Sequence, residues 1–263
     1  MKLLFLPHAL SPAALRGLIA LAALLLAVGG QWPQSGLAWT SADEWLRDML
    51  VRRQASAQPE QRLAVIDIDE TSLRAAGAWP WPRERLATLV EQLIGNYGAR
   101  AVALDLVLPE PADTGGDTRL AMLARHGPVI LPQAFDYNGN VPLRVGKLTG
   151  GVPAPRADGA VAASGYIANH AGLADAAHIG NIGFIPDPDG VIRRLPMQTW
   201  FAGRRYPTLS LAMLDCCSGT RAAAAGPNGG MQLGDGLRRL PYRLQWEAYT
   251  VIPASRASRY FFT

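Results

Sequence analysis

The sequence predicts an α/β fold: a three-stranded parallel βαβαβ core, extended by antiparallel hairpins and preceded by an N-terminal transmembrane helix. Three observations point there. Residues 63–68, 101–107 and 129–135 are short apolar runs with β-branched residues, separated by stretches of helical spacing, and this alternation implies right-handed parallel crossovers. Beyond residue 136 the chain is dense in Gly and Pro, and its later apolar runs flank turn signals, as hairpins do. Near the N-terminus, residues 17–30 are continuously apolar or small.

Taken in order, that first run extends to residues 13–32 with Arg16 inside it, approaching the ~20 residues a bilayer-spanning helix needs. An uncleaved anchor is expected, with a cleaved signal peptide as the other reading, and either directs export. Lys2 and Arg16 precede the run, whereas the first basic residue after it is Arg47. That asymmetry leaves residues 1–12 as a cytoplasmic tail and sends the remainder outside, giving a single-pass inner-membrane protein whose main domain is periplasmic. Ser41 to Glu44 reads as a capping box, and Ala42, Trp45, Leu46, Met49 and Leu50 make residues 37–53 an amphipathic juxtamembrane helix. Residues 54–61 are a polar linker.

The first strand, residues 63–68, reads as buried on both faces. Two X-Pro pairs then stiffen the bend from Trp79 to Pro82. Leu86, Leu89, Val90, Leu93, Ile94 and Tyr97 stripe a helix over residues 84–97, with Gly98 as its C-cap. Asp117 can cap a short helix to residue 125. Residues 136–163 have no period and form an irregular excursion. Residues 179–185 and 191–201 flank Pro186-Asp-Pro-Asp-Gly190 as a hairpin, Pro207 opens a helix to residue 217, Gly234-Asp-Gly236 marks another turn, and residues 242–252 supply further strands.

Composition narrows the function. The 263 residues carry a net charge of +4, and the basic residues are nearly all Arg, with Lys2 and Lys147 as the lysines. No basic run or nucleic-acid motif occurs, so no nucleic acid is expected as a partner. The two cysteines, Cys216 and Cys217, are adjacent and read as small buried residues; Cys-rich zinc sites are ruled out.

Asp67-Ile-Asp69-Glu-Thr71 after an apolar strand matches the opening of haloacid-dehalogenase-type magnesium phosphatases, in which the first Asp attacks phosphorus. That chemistry also needs a lysine and a second acidic pair, and the sequence supplies neither in a fitting place. The alternative is that these carboxylates cap the next turn through backbone N–H groups. Asp187-Pro-Asp189-Gly190 lacks the end ligands of an EF-hand and reads as a turn, with Arg193 and Arg194 beyond it free to bind an anion or pair with nearby acids. The four histidines show no ligand spacing on one element and read as surface or satisfied groups.

Read together, Val65-Ile-Asp67 to Leu73, Gly77-Ala-Trp79-Pro-Trp-Pro-Arg83, Gly98 to Asp105, Gly180-Asn-Ile-Gly183, Asp187-Pro-Asp-Gly-Val-Ile-Arg-Arg194 and Tyr206 to Leu211 resemble the CHASE type-two (CHASE2) extracytoplasmic sensory domain of bacterial receptors. The resemblance implies a sensor over residues 62–263, truncated at its C-terminus. It also implies a homodimer in the full receptor, coupled to a cytoplasmic adenylate or guanylate cyclase, histidine kinase, diguanylate cyclase or Ser/Thr kinase. It brings no catalytic residue, metal or cofactor, and leaves a small-molecule or ionic ligand unidentified, with membrane lipid met by the N-terminal helix. On physical grounds Asp67, Asp69 and Asp105 are expected to converge at strand ends, with Arg83, a bound cation or a cationic ligand neutralising them and Trp79 walling the pocket; a purely structural Arg–Asp bracket is the other reading, and the favoured one. Asn181, Asp187, Asp189 and Arg193 are expected as structural groups or secondary ligand contacts. A non-signalling envelope interaction domain is the remaining alternative.

Overall fold

A computed structural model of the chain describes residues 11–30, 39–56, 58–139, 141–155, 159–218, 237–240 and 246–257. The chain divides into two compact units, Met1–Ala57 with Tyr242–Leu244, and Gln58–Pro241 with Gln245–Thr263.

The first unit contains helices α1 (Pro12–Gly30) and α2 (Trp39–Gln54). The expected transmembrane anchor over 13–32 does not stand: among the described residues no helix is long and apolar enough to cross a membrane. Arg16 interrupts α1 near its start, and the apolar run behind it covers only about 21 Å at ~1.5 Å per residue, against a hydrocarbon core of ~30 Å. The membrane-lipid partner and the single-pass inner-membrane placement rested on that anchor and are withdrawn with it. The tail over residues 1–10 lies outside the described residues. Helix α2 begins at Trp39, so position 41 lies within it and is not its N-cap position; Asp43 and Arg47 pair along its surface at 2.7 Å.

The second unit is a mixed α/β structure with several small sheets. Strand β1 (Glu60–Asp67) pairs in parallel with β13 (Tyr249–Pro253), and these two form a sheet of their own. The single three-stranded sheet expected from the sequence is therefore corrected. Its parallel part is β2 (Val102–Ala103), β3 (Val129–Asp136) and β8 (His178–Asn181), with β3 in the middle. Strand β7 (Gly165–Ile167) adds to β3 antiparallel, and β4 (Arg144–Val145) adds to β7, so the excursion after residue 136 returns to the sheet. An apolar run has the same appearance whether one or two layers cover it. In β3 every residue from Val129 to Gln133 is buried, whereas in β1 Leu63 stays 46 % exposed.

The expected hairpin around residues 186–190 is also corrected. The turn joining two antiparallel strands is Ala202-Gly203, between β10 (Gln198–Phe201) and β11 (Arg204–Pro207). Both turn residues have positive φ, 47° and 77°, the left-handed geometry a tight hairpin needs. Strand β9 (Arg194–Pro196) instead meets β12 (Leu237–Arg239). The turn expected at Gly234–Gly236 lies outside the described residues.

Helix α3 (Glu70–Ala76) follows β1 and starts at the side chain of Asp69, which accepts from the Ser72 N–H at 2.8 Å. Helix α4 (Arg83–Gly95) lies between two cores because its apolar stripe is wide. Ala87 and Val90 join Leu120, Val129, Leu131 and Leu173 on one side, and Leu86 and Leu89 join Trp81, Ala254 and Ala257 on the other. Helix α5 (Thr114–His126) begins earlier than expected, with Asp113 as its N-cap and Asp117 inside its first turn.

Asp113 does more than cap its own helix. Its carboxylate accepts from the backbone N–H of Gly116 at 3.1 Å, and from Arg83 and Glu84, the first residues of α4, at 2.6 and 2.9 Å. Pro82 precedes α4 and offers no side-chain cap, so Asp113 supplies one from across the structure. The close approach requires glycine at 116: a Cβ there would lie 2.0 Å from the Glu84 nitrogen.

Burial alone would raise the Asp113 pKa, but the N–H groups of Arg83 and Glu84 outweigh it and hold the carboxyl below the usual range. A lowered folded-state pKa contributes stability above the unfolded value, ~3.9, and that contribution is lost as pH falls through the folded value. Asp113→Ala is expected to cost about 2 kcal/mol in urea unfolding at pH 7, with the deficit relative to wild type shrinking below about pH 4. A deficit independent of pH would show that the carboxylate is not the cap.

Candidate ligand-binding site

The acids at the end of β1 do not assemble as expected. Asp69 is committed to the start of α3, and its pKa is lowered by the Ser72 side chain and backbone N–H. Asp67 is exposed, and its backbone carbonyl faces the Ser72 hydroxyl. Asp105 is exposed after β2, which belongs to a different sheet from β1. Among the described residues no group of three or more His, Cys, Asp or Glu side chains could hold a metal ion. Trp79 is 44 % exposed and leans on Trp81 at 6.1 Å between ring centroids. Trp81 is the buried member of the pair, and its indole N–H donates to the Gly77 carbonyl at 2.9 Å.

Arg83 points elsewhere than toward Asp67, Asp69 or Asp105. It is buried, donates from Nη2 to the Glu110 carbonyl at 3.1 Å, and places Nε 3.5 Å from Oδ1 of Asp117. The same Oδ1 lies 3.3 Å from Nε2 of His170. Oδ2 of Asp117 accepts from the Ala112 N–H at 2.7 Å. His170 is held from both ends: its backbone N–H donates to the Leu108 carbonyl, and its Nδ1 accepts from the Gly172 N–H at 3.2 Å. Because Nδ1 accepts, the neutral ring carries its proton on Nε2. Next door, buried Asn169 accepts from the Leu108 N–H and donates to the Pro132 carbonyl, both at 2.8 Å.

Thus Arg83 Nε, Asp117 Oδ1 and His170 Nε2 meet in one place. All three are buried, and none has an aligned hydrogen-bond partner. Charge attraction operates at these separations, yet the orientations leave two donors and an acceptor unused, which is costly unless something else engages them. Above Asp117 and His170 opens a cleft of about 530 Å³, walled by Pro111, Thr118, Met122 and Leu173. The cleft is open and mixed in its lining, and Asp117 and His170 form part of its floor, with Oδ1 and Nε2 themselves turned away from solvent. Sequence reasoning named Asp117 as a helix cap and read His170 as satisfied, so it missed their meeting. The one local signal was Gly172, two residues after His170, which permits the side-chain-to-backbone turn that orients the ring.

The second set of expected residues forms two braces. Arg193 is buried; it donates to both carboxylate oxygens of Asp189 at 2.9 and 2.7 Å and to Asp187 at 3.0 Å, while Arg194 reaches Asp187 at 2.7 Å. Arg194, then burial acting in opposition, then Arg193 leave the Asp187 pKa lowered. The Arg193 fork brings Asp189 down to about 2. Asn181 is buried and accepts from the N–H groups of Phe135 and Gly183 while donating to the Tyr137 and Thr199 hydroxyls. Burial pushes the Tyr137 hydroxyl up to about 12, so it remains a neutral donor at physiological pH. Arg193→Met would leave Asp187 buried beside Arg194 alone. A loss of about 3 kcal/mol is expected in chemical denaturation, with Asp189→Asn far milder because that carboxylate is half exposed. Equal losses would contradict this division of labour.

A family model described as the CHASE2 domain matches residues 19–257. No curated protein and no solved structure matches the chain. The match takes in both cores, the Asp187–Arg194 brace and the cleft, and it replaces the phosphatase reading of Asp67 with a non-catalytic one: the chain belongs to the CHASE2 family of extracytoplasmic sensor domains.

Proposed function

We propose that this chain is a signal-input domain that binds a small molecule in the cleft over Asp117 and His170. The observation that carries the reading is the meeting of buried polar atoms without aligned partners beneath an open, partly apolar cavity. Elsewhere the loops close their polar groups with care, through Asp113, Asn169, Asn181 and Asp187. Gln92, Gln133 and Arg205 each leave one buried side-chain atom without a partner as well, but Arg83 Nε and His170 Nε2 both lie against Asp117 Oδ1, and such a grouping beside a cleft is the reason for placing the site there.

Of the residues expected to meet ligand, Arg83 belongs to this site as the cation behind Asp117. Asp67, Asp69, Trp79 and Asp105 lie outside it. Binding would be felt along α5 and at the Ala171–Leu173 turn, and Asp113 and Arg83 join that region to the start of α4. A ligand that prefers one arrangement of these elements would shift the population towards it, which is all that signalling requires of an input domain. The output in this proposal is one of the effectors implied by the family resemblance, a nucleotide cyclase or a kinase.

The test is a melting-temperature screen of metabolites and cations on the wild-type chain and on Thr118→Trp. Thr118 is exposed on α5 and lines the cleft, so the indole fills the cavity without disturbing the core. At least one compound is expected to raise the melting temperature of wild type but not of the variant, since a ligand specific to the folded state must stabilise it. Stabilisation that persists in Thr118→Trp, or no stabilising compound at all, would remove the cleft as the sensing site.

A further inference from the structure

Oδ1 of Asp117 and Nε2 of His170 are closed to solvent, so the charged groups that a ligand can touch lie elsewhere in the cleft. At one end stand Arg125, in the last turn of α5, and Asp175, just after the Ala171–Leu173 turn. Their closest approach is 3.6 Å, a charge contact too long for a hydrogen bond, and their side chains are 58 % and 78 % exposed. An exposed pair of that kind contributes little to stability and is easily exchanged for other partners.

Carbon surface adjoins these charges directly. Ala121 and Met122 precede Arg125 by four and three residues on the cleft face of α5, while Leu173 and Ala176 flank Asp175. A molecule lying here meets a cation, an anion and an apolar wall at once. A carboxylate alone would answer Arg125 and set itself against Asp175, and an ammonium alone would do the reverse. An uncharged ligand would leave the pair as it is and gain the carbon contacts only. A zwitterion replaces one loose contact by two charge-assisted hydrogen bonds. In an α-amino acid the nitrogen and the carboxylate carbon are about 2.5 Å apart through Cα, so a single head group can serve both side chains once they part slightly.

We infer that the cleft takes a zwitterionic α-amino acid with an apolar side chain, its carboxylate on Arg125, its ammonium on Asp175 and its side chain against Ala121, Met122, Leu173 and Ala176. This rests on the cleft being the sensing site. Such a ligand joins the end of α5 to the segment after the Ala171–Leu173 turn. The probes are leucine, methionine and phenylalanine, each beside its N-acetyl form, which lacks the ammonium, and its amide, which lacks the carboxylate. They are applied to the wild-type chain, Thr118→Trp, Arg125→Gln and Asp175→Asn, the last two being exchanges at exposed positions. At least one free amino acid is expected to raise the wild-type melting temperature and leave Thr118→Trp unchanged. Its two blocked forms are expected to bind wild type at least about tenfold more weakly by calorimetry. Arg125→Gln is expected to abolish the preference over the amide, and Asp175→Asn the preference over the N-acetyl form. If Thr118→Trp melts without cooperativity, Met122→Trp at the neighbouring exposed position takes its place. A blocked form that binds the cleft as tightly as the free amino acid, or a preference that persists in its charge variant, overturns the amino-acid inference and leaves the sensing site standing. Absence of a cleft-dependent shift from all three amino acids overturns the inference as well, and the broader metabolite screen then decides separately whether the site itself falls.

Discussion

The arrangement depends on one carboxylate. Asp113 sits between two helices that start at nearly the same point, and it satisfies backbone N–H groups of both. Without it the first turn of α4 has no side-chain acceptor, since Pro82 cannot provide one. Asp113 is half-buried, so its three charged hydrogen bonds together contribute about 2 kcal/mol, as a strong helix cap does, enough to hold two helix ends at one distance. Gly116 is the steric counterpart, because any side chain there would occupy the space of the Glu84 nitrogen. The consequence reaches the cleft directly: Arg83 is the first residue of α4 and Asp117 lies in the first turn of α5, so the cap that joins the helices also brings these two charges together.

The same device recurs with different chemistry. Asn181 holds the end of β8 to β3, Asn169 holds the approach to His170, and Ser72 ties α3 to the segment after β13 by accepting from the Ser255 N–H at 3.0 Å. The turn before β9 is closed by two acids and two arginines. Small sheets with little continuous area between them gain rigidity from such polar closures as well as from apolar burial. Against this background the three unpartnered atoms of Arg83, Asp117 and His170 stand out by being grouped, and their setting between α5 and the Ala171–Leu173 turn is where ligand contact would act on elements that can shift.

Much of the local structure was legible in the sequence because it rests on local causes. The stripe from Leu86 to Ile94 gave α4 to within a few residues, the run at 129–135 gave the central strand, and capping by the carboxylates after β1 was among the readings, as Asp69 bears out. What was not legible depends on partners distant along the chain. The strand pairing with β1 comes from residues 249–253, and nothing in residues 60–67 names it. Arg83 was expected beside Asp67, Asp69 and Asp105 because sequence proximity suggested it, whereas tertiary packing turned it to Asp117. The apolar run behind Arg16 suggested a membrane helix by composition, and its length did not suffice. His170 had no sequence pattern to distinguish it, since its significance comes from Asp117 and Gly172 acting on opposite ring nitrogens.

The central claim, that Asp113 assembles a site in which His170 presents Nε2–H beside Asp117, is most directly tested by long-range proton–nitrogen spectra of the histidine side chains. In the wild-type chain the account predicts that the neutral His170 ring carries its proton on Nε2, with Nδ1 showing the signature of a hydrogen-bond acceptor, and predicts that in Asp113→Ala the Nε2 signal moves as Arg83 and Asp117 part while Nδ1, held by Gly172, stays an acceptor. A His170 ring that exchanges between tautomers in wild type, or one that is identical in the two proteins, would contradict it.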